Sequence, residues 1–129
     1  MNYLLDTHVF LWYVLGDRSL SDRARQIIDA KTGLHFSIVS LWEISIKVNI
    51  GKLQLDCSFE DLLTRLRYIN AEILPIEIQD TRTYIDLPSI ENHRDPFDRL
   101  LVTRAINRSL VFVSADRKFD FYSPRRIWT

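Results

Sequence analysis

Along this chain, short runs of apolar residues alternate with longer stretches in which apolar positions recur every three or four residues. Tyr3-Leu4-Leu5 is the first short run. Asp6-Thr7 then reads as a cap for a helix through His8 to Tyr13, ended by Gly16-Asp17. Ser19 or Ser21 opens a second helix to about Ala30, with Ala24, Ile27 and Ile28 on one face and a stop near Gly33. His35 to Ile38 reads as a second strand, and Ser40 to Ile50 as a helix ended by Gly51. Ser58 suits the N-cap of a helix over Phe59 to Tyr68, with Glu60 and Asp61 in the first turn, where the helix dipole favours them. Glu72 to Ile76 is a third apolar run. Ile78 to Leu87 reads as a helix closed by Pro88, and Asp95-Pro96 starts another through Asn107. Leu110 to Val113 is the clearest strand, and Arg126-Ile127-Trp128 a short last one. Apolar strands alternating with helices predict a three-layer α/β/α domain around a central, mainly parallel sheet of four to five strands. No repeat, linker or low-complexity segment interrupts the pattern, so residues 1–129 read as one domain.

Composition adds limits. At 129 residues and 47% apolar content the chain has a core's worth of material, which excludes a disordered or fibrous protein. The lone Cys57 makes neither an internal disulfide nor a cysteine-based zinc site, and it suits a reducing compartment. The first residues lack a basic segment, and the longest apolar stretch, Val9 to Leu15, is far short of the ~20 residues of a membrane span. A cytoplasmic protein without a membrane segment is expected.

Seventeen basic residues balance 17 acidic ones. A zero net charge argues at first against a nucleic-acid partner. The balance is uneven along the chain, however: residues 1–92 carry a net −4 and residues 93–129 a net +4. The basic set of the last segment is Arg94, Arg99, Arg104, Arg108, Arg117, Lys118, Arg125 and Arg126. About half of these are expected to be solvated surface charges.

The acids are more informative. In parallel sheets, sites form at the carboxyl ends of strands, near a switch in strand order. Asp6 follows the first strand and Asp116 the fourth, so the two meet if those strands are neighbours. Asp98 shares an inward helical face with Leu101, Val102 and Ala105, and Glu43 lies beside Val39, Trp42 and Ile46. Each has an ordinary alternative: Asp6 as a helix cap, Asp116 as a turn residue, Asp98 in the first turn after Asp95, and Glu43 paired with Lys47 one turn on. One account covers all four, namely convergence at the sheet's carboxyl edge around a hard cation such as Mg²⁺ or Mn²⁺. Zinc fits less well, because His8, His35 and His93 show no paired ligand spacing.

Leu4-Leu5-Asp6-Thr7-His8, Ser40-Leu41-Trp42-Glu43-Ile44, His93-Arg94-Asp95-Pro96-Phe97-Asp98-Arg99 and Val111-Phe112-Val113-Ser114-Ala115-Asp116 resemble the four acidic motifs of PIN-domain ribonucleases. The likeness is greatest to the VapC-type toxins of VapBC toxin–antitoxin pairs, and it spans nearly the whole chain. The resemblance implies Asp6, Glu43, Asp98 and Asp116 as catalytic, metal-binding acids. It implies Thr7 and Ser114 as hydroxyls near the site, Ser114 standing where the family often has Thr. Asp95 is a further acid beside Asp98. Lys47, Arg99 and Arg117 are the candidate RNA contacts. The resemblance further implies a Mg²⁺- or Mn²⁺-dependent endoribonuclease that leaves a 5′ phosphate, a cognate antitoxin and a homodimer. The aromatics Phe10, Trp12, Tyr13 and Trp42 are expected mainly in the core, some of them lining a groove for a partner. A receiver domain would need an acidic pair after the first strand, and a dehalogenase-like phosphatase an Asp-x-Asp there, where Asp6-Thr7-His8 stands. A PIN-like module that binds RNA or protein without cutting is the remaining alternative, and four intact acids speak against it.

Overall fold

The computed structural model of the chain describes residues 1–129. Five runs become strands: β1 (Tyr3–Leu5), β2 (Leu34–Ser37), β3 (Glu72–Leu74), β4 (Val111–Val113) and β5 (Arg126–Ile127). They pair in parallel in the order β3-β2-β1-β4-β5. The connections are α1 (Thr7–Leu15), α2 (Asp22–Asp29), α3 (Ile38–Asn49), α4 (Phe59–Tyr68), α5 (Ile78–Ile85), α6 (Pro96–Arg108) and a 3-10 helix over Arg117–Phe121. No helix is long and apolar enough to cross a membrane.

Strand alternation divides the core in two. Leu4 is opposite Phe112 and Leu5 opposite Val113 in the β1–β4 register. Successive side chains of a strand leave opposite faces. Leu4 and Phe112 therefore pack with Leu101, Val102 and Ala105 of α6. Leu5 and Val113 pack with Phe10 of α1, Ile28 of α2 and Leu62 and Leu66 of α4. α3 serves both faces, with Val39 in one cluster and Leu41 and Ile44 in the other.

Several boundaries differ from the sequence reading, each for a local reason. Ile38 begins α3 instead of ending β2, because Ser37 already caps the helix by accepting from Val39 N at 3.0 Å. β3 stops at Leu74, where Pro75 has no N–H to offer the ladder. α5 ends at Ile85, two residues before Leu87, and the 3-10 helix is unanticipated. Ser21, not Ser19, caps α2. Arg104 is no surface charge: it is 3% exposed and joins α6 to α5, with Nε 3.4 Å from Asp80 Oδ2 and a terminal nitrogen 3.2 Å from Glu77 Oε1.

The chain moves from β1 outward to β2 and β3, then returns to β4 on the other side of β1. The order reverses between β1 and β4, and a crevice opens beyond their carboxyl ends.

Leu4, fully buried on the central strand, should lose about 2–5 kcal/mol of stability on substitution by alanine. Ile78→Ala, at a position 89% exposed, should stay within about 0.5 kcal/mol. Urea unfolding of the two variants measures the difference.

Candidate functional site

Asp6 leaves β1 at the β1–β4 switch and caps α1. Its Oδ1 accepts from Thr7 N at 2.7 Å, and its Oδ2 accepts from Ser114 Oγ at 2.8 Å. Both carboxylate oxygens are thus oriented by neighbours that the strand pairing brings from 108 residues away and from the next residue. The ordinary cap and the candidate acid are the same side chain. Ser114, fully buried after β4, also accepts from Asp116 N at 3.0 Å, which turns Asp116 toward the crevice.

α3 delivers Glu43 from the side. Thr7 Oγ1 donates to Glu43 Oε1 at 2.8 Å and lies 2.7 Å from Ser40 Oγ. With its one proton on the carboxylate, Thr7 accepts from Ser40. The other Glu43 oxygen meets Lys47 Nζ at 3.2 Å. Glu43 is 7% exposed, whereas Trp42 beside it is 57% exposed and packs its ring on Phe97. Of the four aromatics singled out by sequence, Trp42 is the one that lies outside the core: it points away from the Glu43 face.

α6 presents Asp98 from its first turn. One ligand atom each from Asp98, Asp116 and His93 lies within 4.8 Å of the others. His93 is 3% exposed; its Nδ1 is 2.7 Å from Tyr122 Oη. Its Nε2 sits 3.5 Å from Asp98 Oδ2 without making a hydrogen bond. A buried nitrogen without a partner therefore faces the carboxylates. Burial pushes the Asp98 carboxyl up to about 8, and the charges of Asp6, Asp95, Glu43 and Asp116 add to it. Burial likewise raises Asp6, against the lowering hydrogen bond from Ser114. Burial lowers His93.

The remaining residues singled out by sequence have separate positions. Asp95 is exposed and caps α6, accepting from Phe97 N at 2.9 Å; it reaches the site through its charge on Asp98. Arg99 donates to Pro88 O at 3.0 Å and Tyr122 Oη at 3.1 Å, beneath the Tyr84 ring. Arg117 is exposed at the start of the 3-10 helix. Sequence reasoning gave no role in the site to Ser40, His93 or Arg126. Ser40 was legible, one helical turn before Glu43 on the same face. Arg126 was not: it donates to Ser114 O at 2.9 Å and grips Asp120 at 2.8 and 3.0 Å, so it fixes the β4 exit from the neighbouring strand.

The family model for the PIN domain matches residues 3–123. The chain belongs to the PIN domain family. No curated protein matches it. Among solved structures, this PIN domain resembles a chain of VapBC2 from Rickettsia felis bound to a DNA fragment from their promoter, with a TM-score of 0.68, 19% identity and 100% of both chains covered. It resembles a chain of FitAB bound to an IR36 DNA fragment, with a TM-score of 0.69 and 16% identity over 97% of this chain and 93% of that one. It also resembles a chain of a toxin–antitoxin complex from Klebsiella pneumoniae, with a TM-score of 0.62 and 16% identity over 98% of this chain and 100% of that one. At these identities the likeness is one of fold.

The donor chemistry of this PIN domain suits a hard divalent ion. Four carboxylates converge, the one ammonium touching them is Lys47 at the Glu43 rim, and a carboxyl at about 8 lacks a compensating positive charge.

The sign of the pH dependence follows. Asp98 titrates near 3.8 when unfolded and near 8 when folded without metal. Between those values the folded state holds the extra proton, so metal-free stability falls as pH rises from about 4 to 8. In EDTA, Asp98→Asn should raise the melting temperature at pH 8 by several degrees and flatten this decline. Mg²⁺ should stabilise the wild type more at pH 8 than at pH 5, and thermal melts in chelator and in Mg²⁺ at both values test it.

Proposed function

We propose that this PIN domain is a metal-dependent endoribonuclease that acts as the toxin of a toxin–antitoxin pair. The carrying observation is the gathering of Asp6, Glu43, Asp98 and Asp116 at the β1–β4 switch, with the Asp98 carboxyl raised by burial and by the other three together with Asp95. Membership of a family of nucleases supports the hydrolytic part. The toxin part rests on the fold shared with chains of VapBC2, FitAB and the Klebsiella complex. An antitoxin protein is the expected partner, as in the toxin–antitoxin complex from Klebsiella pneumoniae, and a second copy of this chain is a separate expectation.

Asp6, Glu43, Asp98 and Asp116 would hold Mg²⁺ or Mn²⁺. When bound, such an ion supplies an activated water and neutralises charge on phosphate oxygens. The chain's own groups do the positioning. Ser114 and the Thr7 amide fix both oxygens of Asp6, and Thr7 with Lys47 fixes both oxygens of Glu43. Lys47 also cancels one negative charge where a phosphodiester must approach. No serine or cysteine nucleophile is required.

Purified protein should cut structured RNA in Mg²⁺ or Mn²⁺ and not in EDTA. Asp6→Asn keeps a competent helix cap yet should abolish cutting. Ser114→Ala, which frees one Asp6 oxygen, should reduce the rate about 10–100-fold. RNA binding without metal-dependent cleavage, or equal cleavage by Asp6→Asn, would mean a binding module instead.

A further inference from the structure

A second concave feature adjoins the carboxylates. Asp6, His8, Val9, Trp12, Ala115 and Asp116 line a hollow of about 250 Å³. Ala115 also walls a cleft of about 290 Å³ along the β5 edge, where Arg23 of α2 meets Arg117, Arg125 and Trp128. The two hollows thus share a wall. Across them the rings form a row: His8 and Trp12 are 6.0 Å apart by centroid, and Trp12 and Trp128 are 5.8 Å apart.

The arginines of this cleft have little else to bind. Arg126 is taken up by Asp120 and Ser114 O, which neutralises the acid of this edge. Arg23 makes one long bond, 3.4 Å, to a main-chain oxygen of Thr129, the last residue of the sequence. Arg117 and Arg125 are exposed and make no ion pair. Three guanidinium groups therefore gather beside the acidic site, and none of them is in an ion pair with an Asp or Glu side chain. The planar, always-charged guanidinium matches phosphate oxygens in pairs. Aromatic faces interleaved with such charges are what single-stranded nucleic acid uses, because every base has a face to stack and every linkage a charge to neutralise.

We propose that the cleft between α2, the 3-10 helix and β5 binds the backbone of a single RNA strand next to the linkage to be cut. Arg23, Arg117 and Arg125 take successive phosphates, and the half-buried Trp12–Trp128 pair offers the base platform. The strand runs from Asp6 and Asp116 over Ala115 toward β5. This rests on RNA being the substrate, as proposed above. It separates Arg117, which makes no side-chain hydrogen bond or ion pair, from Arg99, one of whose terminal nitrogens is held by Pro88 O and Tyr122 Oη. It adds Arg23 from a different helix, outside the four acidic motifs.

Binding read without metal keeps the test apart from catalysis. Fluorescence anisotropy of a labelled single-stranded RNA in EDTA should show the doubly substituted Arg23→Gln/Arg125→Gln protein binding about tenfold more weakly at low salt than the wild type. Its slope of log affinity against log salt should be shallower by about 0.7 per arginine lost. Arg82→Gln, an exposed change on α5, should alter neither quantity. Circular dichroism melts confirm that all three proteins are folded. Unchanged affinity and slope in the double variant overturn the proposal. So does an equal loss in Arg82→Gln, which would mark a general charge effect. Retained RNA affinity with lost binding of a co-expressed protein partner also overturns it and assigns the cleft to protein docking. A wild type that binds RNA through these arginines but never cuts it refutes the nuclease reading and leaves the cleft standing.

Discussion

β1 and β4 lie side by side in register, and each ends in a residue that the other needs. The Ser114 hydroxyl donates to Asp6, and the same oxygen accepts the Asp116 amide. This small buried junction exists only because strands separated by most of the chain are neighbours in the sheet. It sets where Asp6 points, where the backbone turns after β4, and so where Asp116 arrives. Arg126 braces it from β5 through the Ser114 carbonyl. α3 and α6 complete the site, since each must also bury an apolar face against the sheet, and that burial holds Glu43 and Asp98 beside the junction.

Such a junction opposes its own electrostatics. Carboxylates brought together out of water repel, and the protein places one lysine at the rim instead of a cation in the middle. Elsewhere the chain compensates its buried charges closely. Arg104 sits against Glu77 and Asp80, and Asn107 supplies a further donor to Asp80 at 2.8 Å. The contrast between the two acidic clusters is physical: Glu77 and Asp80 face an arginine and an amide donor, whereas Asp98 has no positive charge that lowers it. The same contrast resolves the neutral net charge. Part of the basic surplus of residues 93–129 is spent inside the protein, on Arg99, Arg104 and Arg126, and Arg117 and Arg125 share one edge.

Much of the architecture was legible. Apolar runs flanked by caps gave the strands and helices, and the inward face of α6 was read from the spacing of Asp98, Leu101, Val102 and Ala105, the last three of which are buried. The misreadings were local contests. Ser37 both ends a strand and caps a helix, so Ile38 fell on the wrong side of the boundary. The 3-10 helix is too short and too mixed in composition to have a period. Which of the aromatics would lie outside the core was left open by sequence, and helix rotation turns Trp42 to solvent beside the buried Glu43.

The sequence by itself determined which positions bear carboxylates and hydroxyls, and which face of each element must be buried, because periodicity and capping are properties of neighbouring residues. Only the tertiary structure decided which charges are free. His93 became a buried nitrogen aimed at Asp98, Arg99 and Arg126 became internal donors, and Arg23 joined Arg117 and Arg125 across one cleft. A charge's role depends on its partner and its access to water, and both are set by contacts between residues that the chain order keeps far apart.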